Sequence, residues 1–446
     1  MSREPGRRVH LSTRSAALIS PRLIDRDLSL RESSRDHPSH LKFPAFESLC
    51  WLVARRPRPR VHLVSVISPA YLPPSQGLIE HSHRDAGGPV QRCMADTCDL
   101  MREVLDIPDT HDVLLMHGGA HAMFAGVAMN LGGEMGAKAD YVGDGFWSKR
   151  AAGEASKYCA VRHVGLTSEL GGVAIPHSST WNVDPTAAFV HVTANETIDG
   201  LEYHVDPTMP EDAPPLVGDF TSTLLSRPVD FSKYGVVYAS TGKNLGPSGL
   251  LVVIARKDLL TGEREMSICP GVMSWSAAAK STPIQNIWNT PNVFGIRALQ
   301  LVLEDCKAKG GVAAMRARAT RRAWSVYDII DASEGFYIND VEPEFRSTMT
   351  IPIKCKTPEI EKRFAEESEK AGFYNLRGHP LFGGLRVTMY NQLPDDAVEA
   401  LVGFMQEFQM NSSVTSDSDE EVAMFGVNGK TAYASSPPSV LNAFAF

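Results

Sequence analysis

Within residues 234–252, YGVVYASTGKNLGPSGLLV, one lysine stands alone among small residues and turn formers. Residues 236–238 read as a buried strand and 250–254 as another, so Lys243 falls on the loop between them. Its nearest cationic neighbours are Lys233 and Arg256. An amine so placed is either a solvated turn lysine or a partly desolvated nucleophile that condenses with a carbonyl. One loop earlier stands Asp219, in DFTS. The pair answers two demands at once: a carboxylate keeps a heteroaromatic nitrogen protonated, and an amine takes an aldehyde. Gly118-Gly119-Ala120-His121 adds small residues directly ahead of a helix, whose N-terminus favours an anion. Gly145-Phe146-Trp147-Ser148 sets a large aromatic in a partly polar turn, and Asn195-Glu196-Thr197 follows the next strand. Plainer readings stand beside these: Trp147 as a core aromatic, Asp219 as a helix cap.

The elements that position these residues begin well inside the chain. Residues 1–75 are rich in Arg, Ser and Pro and show no sustained period. They read as a poorly ordered or unrelated extension; their acidic residues, Glu4, Asp25, Asp27, Glu32, Asp36 and Glu47, argue against a transit peptide. From about residue 91, QRCMADTCDLMREVLDIPD places Met94, Leu100, Met101, Val104 and Leu105 at helical spacing. Strands and helices then alternate: DVLLMH, HAMFAGVAMNL, ADYV, SKRAAGEASKYC, AFVHVTA, the stretch before DFTS, and GVVYAS. That alternation predicts an α/β layered fold with a mixed, mainly parallel sheet over residues 76–305. A long helical stretch interrupted at Gly310-Gly311 leads to a smaller α+β unit over 306–410, built from FYIND, STMTIPIKC, a helix at 358–371 and GLRVTMYN. Residues 411–446 read as a mobile polar tail.

Composition narrows the classes. The chain has 446 residues, 43% hydrophobic and 22% charged, which is globular composition with room for more than one core. A net charge of -8 argues against general nucleic-acid affinity. The 7 cysteines are scattered without a CxxC spacing, as expected of reduced thiols in the cytoplasm, with organelle targeting by the extension left open. His81 and His83 lie close together, but no matching ligand cluster follows, so no metal is expected. No apolar run reaches the roughly 20 residues that span a bilayer, and no membrane role is expected.

In α/β sheets ligands bind at the carboxyl ends of the strands, where Asp219, Lys243 and the Gly-Gly turn all fall. Pyridoxal 5'-phosphate needs that set: a carboxylate, an amine and an anion site. HVTANETIDGLEYH, the stretch from DFTSTLL to ARKDLL, NTPNVFGI and GHPLFGGLRVTMYNQLP together resemble the phosphoserine aminotransferase family, class V enzymes of fold type I. The resemblance runs from about residue 77 to 408 in the right order, and NETIDG and LSRPVDFSKYG are its specific motifs. It implies that Lys243 holds the cofactor covalently and then carries protons. Asp219 would pair with the ring nitrogen, Trp147 would stack on the ring, and Thr197 would bond its hydroxyl. Ala120 and His121 occupy the phosphate-loop positions. Asn289 and Thr290 would reach the partner subunit's cofactor, which implies a homodimer. Arg386 would take the substrate α-carboxylate, which guanidinium geometry suits. His379, and Arg84 from the other subunit, would bind the substrate phosphate; Arg84 lies in EHSHR, similar to the family's EMSHR. Arg227 and Arg346 read as structural.

The same comparison exposes departures. Gly242 stands where the family has glutamine, and Pro380 where it has arginine after the histidine of GHR. The family's NFxxGP segment is missing before Gly77. The expected activity is transfer of the amino group of L-glutamate to 3-phosphohydroxypyruvate, giving O-phospho-L-serine and 2-oxoglutarate for serine biosynthesis. Two alternatives stand beside it: a class V transaminase for an unphosphorylated oxo acid, and an inactive homologue acting as an interaction protein.

Overall fold

The computed structural model describes Leu78 and residues 81–423, apart from 283–284 and 381–382. The expected extension at 1–75 and Glu80 of the EHSHR motif lie outside the described residues, as does the chain after Ala423.

Among the described residues, thirteen strands alternate with helices. They are β1 (His111–His117), β2 (Lys138–Val142), β3 (Ala160–Val164), β4 (Val190–Thr193), β5 (Asn195–Glu196), β6 (Leu201–Glu202), β7 (Leu216–Asp219), β8 (Val236–Ser240), β9 (Leu250–Arg256), β10 (Tyr337–Ile338), β11 (Thr350–Cys355), β12 (Arg377–His379) and β13 (Gly383–Thr388). The helices are α1 (Pro89–Leu105), α2 (Ala120–Leu131), α3 (Phe146–Ala155), α4 (Trp275–Ala279), α5 (Val293–Ala308), α6 (Gly311–Asp331), α7 (Pro358–Lys370) and α8 (Asp395–Ala423).

A seven-stranded sheet runs in the order β1-β9-β8-β7-β4-β2-β3. Pairing is parallel from β8 through β3, while β9 is antiparallel to both β1 and β8. Six strands therefore point one way and β9 alone points back, which puts the carboxyl ends of β1, β2, β4, β7 and β8 on one edge. Strand alternation covers both faces. Val113, Leu115, Val237 and Val252 pack with α1 and α5; Leu114, Met116, Tyr238 and Val253 pack with α2, α3 and Trp275. A second, four-stranded antiparallel sheet, β10-β11-β13-β12, forms a core with α6, α7 and α8. Helix α6 is shared: Val312 and Met315 join the first core, Ala323 onward the second. The expected boundary at 305/306 falls inside α5.

Three details differ from the sequence reading. Helix α3 opens at Phe146, ahead of Ser148, because carboxylates from another loop cap it there. Strand β3 is an edge strand whose exposed Arg162 and His163 hide the apolar alternation. Helix α8 runs on to Ala423, past the point where the tail was expected to begin.

Arg227 and Arg346, read as structural in the sequence, are each bonded to a carboxylate. Arg346 makes a fork on Asp331, at 2.6 and 2.8 Å, and donates from Nε to the Val341 carbonyl. Arg227 is buried and donates to Asp206 Oδ1 at 2.8 Å, an oxygen that also accepts from the Tyr234 hydroxyl at 3.0 Å. Asp206 Oδ2 accepts from the Asp230 amide, so one carboxylate ties together the turn leading into β8. Removing the guanidinium leaves that carboxylate buried and under-compensated. Arg227→Ala is expected to cost about 3–5 kcal/mol, read as a lower urea midpoint with an unchanged slope.

Candidate active site

Lys243 sits on the β8–β9 loop, which is closed by backbone and side-chain bonds around it. The Gly242 amide donates to the Gly246 carbonyl at 2.6 Å, and Thr241 bonds Leu250 in both directions. Gly242 has φ +106°, a left-handed geometry that a glutamine would adopt only with strain. Asn244 Oδ1 accepts from the Asn391 amide at 2.9 Å, which fastens the lysine loop to the chain that leaves β13. The Lys243 amine lies 5.8 Å from the Trp147 ring centroid, over its face.

Asp219 ends β7 and is buried. Burial raises its carboxyl above the usual range; the Thr221 and Tyr238 hydrogen bonds and the charge of Lys243 oppose that rise. The Thr221 amide donates to Oδ1 at 2.9 Å. The residues after Asp219 form turns, so it caps no helix, the plain reading that the sequence left open.

Trp147 is held by the NETIDG loop. Its indole Nε1 donates to Thr197 Oγ1 at 2.8 Å, and its amide donates to Glu196 Oε2 at 2.8 Å. Glu196 Oε1 accepts from both the amide and the hydroxyl of Ser148, each at 2.8 Å, and Asp199 accepts from the Phe146 amide at 3.0 Å. The N-cap of α3 is Gly145, which supplies no side-chain cap, so two carboxylates from a distant loop satisfy the first turn. A Cβ on Gly145 would meet Glu196 at 2.6 Å, so the close approach requires glycine. The sequence reading missed Glu196 and Asp199; the cue available was an uncapped helix start paired with a motif carrying two acids.

Helix α2 likewise begins without a side-chain cap, at Gly119, which leaves its first turn suited to an anion. Ala120 and His121 open it, and the His121 ring lies 5.9 Å from Trp147. Burial, then the charge of Arg150, lowers the His121 pKa. From the other side comes His379 on β12, its ring 5.4 Å from Phe146. Burial and the neighbouring Arg386 charge lower His379, and burial lowers Arg386 in turn.

Lys243, Asp219, Trp147, Thr197, Ala120, His121, His379 and Arg386 are thus drawn into one chain of neighbours. Arg84 and Asn289 stay outside it. Arg84 occupies an exposed turn ahead of α1, and Asn289 and Thr290 are exposed beside Trp288. The His117 ring bonds the Thr290 carbonyl at 2.9 Å, fixing this segment near the end of β1. The donor set fits pyridoxal phosphate: a buried carboxylate, an amine over an indole face, a hydroxyl at Thr197 and an uncapped helix start.

Residues 66–391 match the family model of class V aminotransferases. The chain is 43% identical over 307 residues to a phosphoserine aminotransferase of Hahella chejuensis, covering 69% of this chain and 82% of that protein. The structure of the Bacillus circulans subsp. alkalophilus phosphoserine aminotransferase matches with a TM-score of 0.74 at 31% identity, covering 81% of this chain and 99% of the other. A pyridoxal-phosphate-bound phosphoserine aminotransferase from Trichomonas vaginalis matches at 0.70 and 30% identity, covering 77% and 96%.

Burial and then the Asp199 charge push Glu196 up from 4.5 to about 7. Between those pH values the folded chain holds a proton that the unfolded chain has released, so stability falls as pH rises through the window, by up to about 1.4 kcal/mol per unit. Glu196→Ala should flatten that slope and cost about 2–3 kcal/mol through unpaired donors, both measurable by urea melts at pH 5 and 7.

Proposed function

The chain belongs to the class V aminotransferase family, and from that premise we infer that it transfers the amino group of L-glutamate to 3-phosphohydroxypyruvate. The products are O-phospho-L-serine and 2-oxoglutarate, a step of serine biosynthesis. The observation that carries this reading is the Asp219–Lys243 pair set against Trp147 and Thr197 at the carboxyl edge of the sheet.

Pyridoxal phosphate supplies a carbonyl that condenses with amines and a ring that accepts electrons from the carbon being deprotonated. Lys243 would hold the cofactor through its amine and would carry the proton at Nζ. Asp219 would hold a proton on the ring nitrogen. Trp147, fixed from both its amide and its indole, presents a face for stacking. Thr197 Oγ1 accepts from that indole and keeps its own proton to donate to the ring oxygen. The first turn of α2, with Ala120 and His121, would receive the cofactor phosphate. Arg386 receives the substrate α-carboxylate as a bidentate pair.

Exposed Trp288, Ile268 and Val272 stand near the Asn289-Thr290 segment in sequence, and this supports a homodimer in which Asn289 and Thr290 face the partner's cofactor. Arg84 would reach the substrate phosphate from the other subunit. Among the described residues no helix is long and apolar enough to cross a membrane. The described cysteines are free, which supports a cytoplasmic location.

Borohydride reduction of the holoenzyme followed by peptide mapping tests the lysine. The pyridoxyl label should fall on Lys243, and Lys243→Ala should lose both label and transamination while remaining folded. A label on another lysine overturns the assignment.

Pro380 removes a cation from the phosphate end and leaves His379 and Arg84 there. Because burial and Arg386 lower His379 below 6.5, its cationic form is lost at a pH under that value. kcat/KM for phosphoserine should therefore fall, relative to Pro380→Arg, as pH rises from about 5 to 6.5. Taking the ratio cancels titration of the substrate itself. Pro380→Arg should raise kcat/KM for phosphoserine and leave that for alanine unchanged. Equal gains on both would favour an unphosphorylated oxo acid as the natural substrate.

A further inference from the structure

Asn244 follows Lys243 in the KNLGPSG loop, and Asn391 lies in MYNQLP, just past the strand β13 that carries Arg386. Both asparagines are buried. An amide side chain in a core has to find partners. Asn244 Oδ1 accepts from the Asn391 backbone amide at 2.9 Å, and Asn244 Nδ2 donates to the Leu224 carbonyl at 3.2 Å. Asn391 Nδ2 donates to the next carbonyl along, that of Leu225, at 2.8 Å. The Asn391 carbonyl in turn accepts from Arg318 on α6 at 3.0 Å.

Leu224 and Leu225 belong to the turns at 221–226 that lead away from Asp219. Leu225 is fully buried with φ +69°, a left-handed conformation that leucine rarely adopts and that the surroundings must impose. Two side-chain amides on successive carbonyls are restraints of that kind. Three segments thus meet through two side chains: the turn after Asp219, the loop of Lys243 and the exit from β13. Arg386 itself is fixed within the small sheet, opposite Pro352 and with its amide donating to the Leu376 carbonyl at 2.7 Å. Asp219 and Lys243 belong to the large sheet, so the asparagine pair spans from one sheet to the other. Glu202 also spans them, by accepting from the amide and hydroxyl of Thr348, but it does so from β6 and not from the residue next to the lysine.

We propose that Asn244 and Asn391 are positioning residues that set the separation between the Arg386 guanidinium and the Lys243 amine. A substrate anchored by its α-carboxylate presents its α-carbon at a fixed distance from that anchor. The amine that takes the α-proton has to stand at the matching place, and a misplacement of about 1 Å costs on the order of 100-fold in rate. Arg386 and Lys243 lie on different sheets, so neither sheet alone fixes their separation; the bond from Asn244 to the Asn391 amide joins the two. This rests on the reading of Arg386 as the α-carboxylate site and Lys243 as the reacting amine.

Two variants test it. Asn391→Ala removes the bond to Leu225 and keeps the backbone amide that Asn244 accepts from; Asn244→Ala removes that acceptor and the donor to Leu224. In cofactor-free protein, hydrogen exchange at the Asn391 amide should quicken about tenfold or more in Asn244→Ala, while the amides of β7 and β8 keep their parent rates. In holoenzyme, the absorbance change on mixing with L-glutamate should slow about tenfold or more in either variant, whereas that with hydroxylamine, which has no carboxylate, should stay within about twofold of the parent. Equal slowing with both reagents marks a general loss of structure and overturns the proposal, as does an unslowed reaction with L-glutamate. If Asn244→Ala does not fold, Asn391→Ala and the parent protein still decide: an Asn391 amide that exchanges in the parent as fast as exposed turn amides overturns the link. Arg386→Met separates the two levels, since it should slow L-glutamate and spare hydroxylamine. If it leaves L-glutamate unslowed, the reading of Arg386 fails; if it slows L-glutamate and the asparagine variants do not, only the positioning role fails.

Discussion

A carboxylate buried at the end of a central strand has to be compensated from more than one direction, and much of the site can be read as the compensation of Asp219. Water is excluded by the core on one side, so the charge is held by hydrogen bonds and by a cation. The Thr221 amide provides a bond, and the charge of Lys243 favours the ionised form. The lysine can do this only because β8 and β9 are antiparallel and close a short loop at the edge where β7 ends. Sheet direction and site electrostatics are therefore one constraint. Had β8 run the other way, the amine and the carboxylate would sit at opposite ends of the sheet.

The second organising feature is a helix start that cannot cap itself. Gly145 gives the first turn of α3 no side chain, and Glu196 and Asp199 fill the deficit from the loop after β4. That places Thr197, between them, against the indole of Trp147. The hold on Trp147 and the capping of the helix thus share one segment, so a change to either acid reaches the aromatic face. The small sheet then closes the site from above the helix, through His379 against Phe146 and the Asn244–Asn391 bond.

Gly242 and Pro380 are the positions where the family resemblance implies a departure at the proposed phosphate contacts. Gly242 replaces a side chain on a backbone whose φ suits glycine, and Pro380 replaces a cation beside a histidine already held toward its neutral form. By the family resemblance, Gly242 gives up a side-chain hydrogen bond to the proposed cofactor phosphate and Pro380 gives up a cation at the proposed substrate phosphate, while Lys243 and Asp219 are kept.

The sequence by itself determined the strand–helix alternation, the placement of Asp219, Lys243 and the Gly-Gly turn at strand ends, and the family. Those features are local: hydrophobic period, turn residues and motif order survive without knowledge of contacts. Lys243, Asp219, Trp147 and Thr197 could be named as a site because each follows a strand, and strand ends share an edge in such sheets. Only the tertiary structure decided what holds them. Glu196 is opposite Ser148 and Trp147 across 48 and 49 positions of chain, and His191 reaches Tyr238 across 47. No periodicity encodes such pairings, since a buried donor's partner is fixed by strand register and not by spacing. Edge strand β3 and the long α8 escaped for a related reason: polar residues on an exposed edge, or on a helix running out past the core, carry no apolar pattern, and their geometry comes from the backbone bonds alone.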